Sequence, residues 1–280
     1  MKFAESNELN WKVRTEGVQT TSGIIIPGSM AIVREDTNTP LSIMADSYQP
    51  YQNQELFELL ERVSNQTGME IKRSGLFGNG EKVYIQLKSD DLRLGNDKVE
   101  GYLTGVNSFD GSTSLAFGPS NITISCTNTF FGAFRGLKTK IRHTKNMGIR
   151  IEDVLKSLDL TLVKEKEMFH NIVQLSETRI GDDTIDDVIR KLFNVDGEID
   201  LEDDEALSTV TKNKIQSFYV DLNGELKEKG DNLWGLFSGV TKYTTHSMNK
   251  GNTNRNQENK MFGIYGQRER EIFSNLVELV

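Results

Sequence analysis

The hydrophobic period changes along this chain, and the change limits the folds open to it. Up to about residue 125 the apolar residues come in short alternating runs broken by Gly, Asn and Pro. Beyond about residue 150 they recur every three or four positions. Alternation suits a strand with one buried face, and the longer spacing suits a helix with one buried stripe. Strands first and helices later make an α+β protein rather than a doubly wound sheet. The expected fold is antiparallel β-meanders packed on helices, with a mainly helical C-terminal half. The expected division is a β-rich core over 1–150 and a helical region over 151–280, as two domains or as one.

The punctuation supports this reading. Trp11-Lys12-Val13-Arg14 alternates, Gly23-Ile24-Ile25-Ile26-Pro27-Gly28 is an apolar run stopped by a turn, and Met30–Arg34 follows. Leu56, Phe57, Leu59, Leu60 and Val63 predict a helix over about 53–64. Met69–Lys72 and Val83–Leu87 alternate on either side of Asn79-Gly80, a strong hairpin turn. Further strands are expected over 99–106, 113–117 and 121–125. The meander then runs into an expected helix, with Thr127 or Asn128 as N-cap and Phe130, Phe131, Phe134 and Leu137 as its stripe. More helices are expected near 150–178, 183–194, 205–228, 232–248 and 258–279. The polar, Asn-rich stretch Met248 to Lys260 predicts an exposed loop.

Net charge is −8, which taken whole argues against a nucleic acid partner. The charges are segregated, however. No Asp or Glu falls between Gly111 and Ile151, where Arg135, Lys138, Lys140, Arg142, Lys145 and Arg150 give six positive charges. The other 239 residues therefore carry −14. At the opposite extreme, Asp182 to Glu205 holds eleven acids against Arg190 and Lys191. A basic stretch is the footprint of phosphate contact, because each neutralised phosphate releases condensed counterions. A solvated face is the plainer reading of the acidic stretch. Pairing of the two blocks between subunits and mimicry of a nucleic acid are the alternatives.

Several chemistries lack their residues. His143, His170, His246 and Cys126 stand far apart, without CxxC or HExxH, so no zinc or other metal site is expected. No GxSxG or GxxxxGK[ST] occurs, and Gly75–Gly80 reads as a hairpin rather than a phosphate loop. Asp196-Gly197-Glu198-Ile199-Asp200 puts its glycine wrongly for a calcium loop. No catalytic residue, cofactor or enzymatic activity is expected. The nearest thing to an acid–base group is Asp110 with Asn107 and His143. One cysteine excludes an internal disulfide and suits a reducing cytosol. No apolar run reaches the ~18 residues of a membrane span, and the N-terminus lacks the apolar core of a signal peptide. A protein of the host-cell cytoplasm, away from the membrane, is expected.

What remains is a meander leading into the basic run. Lys and Arg at every second or third position can track a phosphate backbone, and aromatic rings can stack on bases. Phenylalanines at helical spacing are more often core, which leaves Tyr84 and Tyr102 as alternative platforms. Thr127, Asn128 and Thr129 would donate to a phosphate or simply cap the helix.

The residues also carry a resemblance. Tyr48-Gln49-Pro50-Tyr51-Gln52-Asn53-Gln54-Glu55-Leu56-Phe57 and Ser74–Tyr84 resemble motifs of a phage/plasmid-like family built on a conserved domain of unknown function. So do Asn107-Ser108-Phe109-Asp110-Gly111-Ser112, Ile124–Thr129, Ile141-Arg142-His143-Thr144-Lys145-Asn146, Leu233-Trp234-Gly235 and Val240–His246. The likeness spans about residues 10–265. The family usually has His where Phe109 stands, so a histidine role is not carried over there. Its Trp-His-Gly-Leu-Gly signature is missing, which implies a shortened member. The resemblance implies a phage or mobile-element source. More remotely, the meander-then-helix resembles the core of Rad/RecT-type annealing proteins, which form rings or filaments on single-stranded DNA.

The expected function is therefore single-stranded DNA binding and annealing by a homo-oligomer in recombination. Arg135, Lys138, Lys140, Arg142, His143, Lys145 and Arg150, with Asn128 and Thr129, would form the nucleic acid contact. The alternative is a phage-encoded interaction protein that binds and inhibits a host defence or replication protein through the acidic block.

Overall fold

The computed structural model describes residues 8–95, 97–123, 129–130, 141–143, 151–152, 155, 158–197, 199 and 206–280. The chain is α+β, as the change of period predicts. A three-stranded sheet, ordered β1-β2-β3, comprises β1 (Val13–Gln19), β2 (Ile25–Arg34) and β3 (Pro40–Ala45). A five-stranded sheet runs β4 (Glu70–Phe77), β5 (Lys82–Leu94), β6 (Asp97–Ser108), β7 (Ala116–Thr123), β8 (Thr129–Phe130) in chain order. Its connections between strands are too short for a parallel crossover, so neighbours run antiparallel. Between the sheets in sequence lies α1 (Asn53–Thr67). The later helices are α2 (Leu158–Glu177), α3 (Thr184–Phe193), α4 (Thr209–Lys229), α5 (Leu233–Lys242), α6 (Thr253–Phe262) and α7 (Ile264–Val277).

The residues divide into two compact units. The first takes Met1–Asp90, Tyr102–Pro119 and Gly136–Leu162; the second takes Asp91–Gly101, Ser120–Arg135 and Val163–Val280.

In the first unit, Leu56, Phe57, Leu59, Leu60 and Val63 of α1 are buried with Leu9, Trp11, Ile32, Val83, Ile85, Leu103 and Phe109. The helix starts where the Glu55 carboxylate accepts the Gln52 backbone N–H at 2.7 Å, and stops at Gly68, whose φ of 75° ends helical geometry. The Gln52 side chain does a second job. Its amide accepts from Val13 N–H and donates to Val13 O, both at 3.0 Å, as a neighbouring strand would. The Asn79-Gly80 hairpin forms as expected between β4 and β5. Gly80 has φ of 111°, and a Cβ there would lie 2.7 Å from the Trp11 ring.

In the second unit, Phe218 and Leu222 of α4 pack with Leu236, Phe237 and Val240 of α5 and with Ile272, Phe273 and Leu276 of α7. Helices α4 and α5 approach closely because Gly239 has no side chain; a Cβ there would sit 2.9 Å from Leu222 Cα. The end of α5 widens into a π-helical turn, Tyr243–Ser247. Thr244 and Thr245 turn their hydroxyls back to the carbonyls of Val240 and Thr241. Facing this turn is a buried ion pair, Lys260 Nζ to Glu269 Oε1 at 3.0 Å, with both side chains essentially inaccessible to water. The lysine also donates to Thr245 Oγ1 at 2.6 Å, to Thr244 Oγ1 and to Thr241 O, and Thr244 donates to Glu269.

Several expectations fail. The strands expected over 113–117 and 121–125 are one, β7, and the helix expected near 258–279 is two, α6 and α7, split at Gly263. The Asn-rich stretch is not a loop. Asn252 caps a helix by accepting from Arg255 N–H at 3.1 Å, and Asn256 is buried, donating to the carbonyls of Thr245 and Met248. Polarity misled there because these polar side chains satisfy backbone groups inside the fold. The helix expected from Thr127 or Asn128 does not hold at its start. Thr129 and Phe130 form β8, paired with Ile122 and Asn121. A β-branched residue followed by an aromatic suits a strand. The remainder of that expected helix, including Phe131, Phe134 and Leu137, lies outside the described residues.

Candidate functional site

Four separated segments of the first unit meet at one place. Residues 48–52 lead into α1, residues 79–82 form the β4–β5 turn, residues 107–112 leave β6, and residues 141–143 return after the meander. Tyr48 Oη donates to Ser108 O at 2.6 Å, and Asn107 Nδ2 donates to Tyr51 O at 2.8 Å. Phe109 N–H donates to Glu81 O at 2.7 Å, and Lys82 pairs with Asp110 at 3.3 Å. Phe109 also supports Trp11, on whose other contacts sits Arg34, its guanidinium 4.1 Å from the ring centroid.

The 141–143 segment is held at both ends. Ile141 and Leu115 exchange backbone hydrogen bonds of 2.8 and 3.1 Å. Gln49 N–H donates to His143 O at 3.2 Å, and the His143 ring stacks on Tyr48 with centroids 4.9 Å apart. Ile141 and His143 are buried while Arg142 between them is exposed, the alternation of an extended backbone. Arg142 therefore points to solvent from a fixed base, and it pairs with no described residue.

Electrostatics sharpen the picture. His143 Nδ1 faces the carbonyl oxygen of Gln49 at 3.3 Å, so Nδ1 carries the proton. Burial pushes the ring's pKa down, against the opposing pull of that hydrogen bond, and keeps the imidazole neutral. Its Nε2, and the Oδ1 of fully buried Asn107, accept no hydrogen bond from the described residues. Burial, aided by the charge of Asp110, pushes the Tyr48 phenol up. For Asp110, burial raises the pKa, but the hydrogen bonds from Ser112 and the charge of Lys82 outweigh it and hold the carboxyl below its ordinary range. Asp110, Asn107 and His143 thus belong to one polar assembly joined through Tyr48, Tyr51 and Ser108. No cluster of three metal-ligating His, Cys, Asp or Glu side chains occurs among the described residues.

Of the residues expected to meet nucleic acid, Arg142 is exposed and His143 is buried. Thr129 lies in β8. Asn128, Arg135, Lys138, Lys140, Lys145 and Arg150 lie outside the described residues. Tyr48, Gln49 and Tyr51 were not expected in the site. The signal available was the Tyr-Gln-Pro-Tyr spacing, whose partners lie 56 to 94 residues away.

The model of the domain of unknown function DUF932 matches residues 40–263. The chain belongs to that family. No curated protein and no solved structure matches it. The DUF932 match takes in the whole assembly from Tyr48 to His143, the π-helical turn and the Lys260 end of the buried ion pair. It leaves out β1, β2 and all of α7. No helix among the described residues is long and apolar enough to cross a membrane.

Proposed function

We propose that this DUF932 protein binds single-stranded DNA through its acid-free stretch and anneals complementary strands as an oligomer. The observation that carries the reading is the charge segregation: six cations and no acid over Gly111–Ile151, in a chain that is otherwise −14. Six like charges gathered on one stretch repel one another, and an incoming anion relieves that repulsion. The clamp at Ile141 and His143 supports the reading, since it holds Arg142 outward on a rigid base, which lowers the entropy lost on gripping a phosphate. Backbone contacts of this kind leave base edges free to pair with a second strand. A phage or mobile-element setting fits annealing chemistry and the motif resemblance.

The test is a fluorescent oligonucleotide at low salt, followed by anisotropy. Binding that falls when Lys140 and Arg142 are reversed together to Glu supports the proposal. Absence of binding, or binding indifferent to that double reversal, removes it.

A further inference from the structure

Helices α3 and α7 of the second unit leave a groove of about 290 Å³ between them. One wall is the stripe Thr184, Asp187/Val188, Lys191 of α3; the other is Ile272, Asn275/Leu276 and, just past α7, Leu279. Both stripes follow the three-to-four spacing over two turns, so the groove runs ~10 Å along the helices. Its floor is apolar and buried: Val188, Ile272 and Leu276. Its lip, Leu279, is 59% exposed. Open and short, the groove sits at the lower limit of the ~300–1,000 Å³ typical of small-molecule pockets. It matches the imprint of side chains on one face of a partner helix.

The charge around the groove selects among such helices. Asp182, Asp183, Asp186 and Asp187 are all exposed at the N-terminal end of α3, and none pairs with a described residue. Glu278 adds a further exposed carboxylate on the α7 side. Of the cations nearby, Arg190 is engaged, donating to the carbonyls of Asp196 and Ile199. Lys191 is the one cation among the described residues that lines the groove, one turn beyond Asp187 and two turns from the start of α3. An acidic helix or a nucleic acid would be repelled along most of this rim. Like charges held this close without partners are relieved by an incoming cationic surface.

We propose that the α3–α7 groove docks a short basic amphipathic helix of a partner protein. Its leucine-sized anchors, spaced three and four apart, would enter the groove, and its Lys or Arg residues would lie over Asp183, Asp186 and Asp187. This surface is separate from the polynucleotide reading and does not depend on it.

The probe is a labelled amphipathic peptide of Leu and Lys, about 12 residues long so that it can form a marginal helix. Its control is the same composition scrambled so that no apolar face forms. Anisotropy against the full chain is expected to show saturable binding of the amphipathic peptide and much weaker binding of the scrambled one. Asp186→Asn with Asp187→Asn should weaken it by about tenfold, and Leu279→Ser, on the exposed lip, by a similar factor. Glu58→Gln with Glu61→Gln, which removes two exposed acids from α1, should leave affinity unchanged. Circular dichroism confirms that each variant is folded. The proposal is overturned if the peptide does not bind, if the scrambled peptide binds as well, or if the α1 variant loses as much affinity as the α3 variant.

Discussion

Lys260→Met isolates the energetics of the second unit's interior. In the native protein Lys260 neutralises Glu269 at 3.0 Å, and neither side chain touches water. Methionine fills the space of the aliphatic stem but leaves a buried carboxylate with the Thr244 hydroxyl as its remaining donor among the described residues. Breaking a buried pair from one side costs about 3–5 kcal/mol. Protonation sets a limit on that cost. With an ordinary Glu pKa of ~4.3 and ~1.36 kcal/mol per unit, keeping the acid neutral at pH 7 costs about 3.7 kcal/mol, and at pH 5 about 1. Burial already pushes Glu269 up in the native protein, against the pull of Lys260, and losing the lysine pushes it further. A raised folded-state pKa for an acid contributes stability below the unfolded value, and that contribution is lost as pH rises. The variant should therefore be destabilised by about 3–4 kcal/mol at pH 7 and by roughly 1 at pH 5. Adding Glu269→Leu should recover most of the loss, since a well-packed apolar pair often equals a buried ionic one. Hydrogen exchange of the α6 and α7 amides reads the local opening free energy at both pH values. A deficit that is the same at pH 7 and pH 5, or a single variant as stable as the parent, would refute the reasoning.

His143 gives the opposite pH sign. Its folded-state pKa is lowered by burial, so stability is present above the unfolded value of ~6.5 and is lost as pH falls below it, by at most about 1.4 kcal/mol at pH 5.5. His143→Phe keeps a ring against Tyr48 and should flatten this dependence in urea midpoints measured from pH 7.5 to 5.5; an unchanged slope would place the titration elsewhere. Gly80→Ala puts a Cβ against the Trp11 ring at a φ of 111°. It should cost about 1–3 kcal/mol, read as a lower thermal midpoint, and a midpoint equal to the parent's would show that the turn relaxes freely.

The sequence made some parts of this structure legible and hid others, for physical reasons. Local rules sufficed where a segment's partners are near in sequence. The α1 stripe, the acid-first α3 and the Asn79-Gly80 hairpin follow from spacing and turn chemistry alone. They failed where tertiary contacts override local preference. Asn256 and Lys260 are polar, yet they lie inside because Thr245, Met248 and Glu269 complete their hydrogen bonds. Thr129 and Phe130 answer to their pairing with β7 rather than to a capping pattern. The meeting of Tyr48, Asn107 and His143 could not be read, because it depends on the register of contacts 56 to 94 residues long. Asn107 reaches Tyr51 and His143 stacks on Tyr48, so two tyrosines bring those segments together. Tyr48 and Tyr51 stand out in the sequence only through the family motif, because an aromatic residue before a helix is ordinary core material.

The central claim is cationic contact with a polynucleotide, and salt tests it most directly. The affinity of the full chain for a labelled single-stranded oligonucleotide should be measured across monovalent salt. If all six cations of Gly111–Ile151 engage phosphates, the log–log slope should be about −4, at ~0.7 per phosphate. Removing Arg142 should shift that slope toward zero by about 0.7. A slope near zero, or one that Arg142→Ala leaves untouched, would contradict the account.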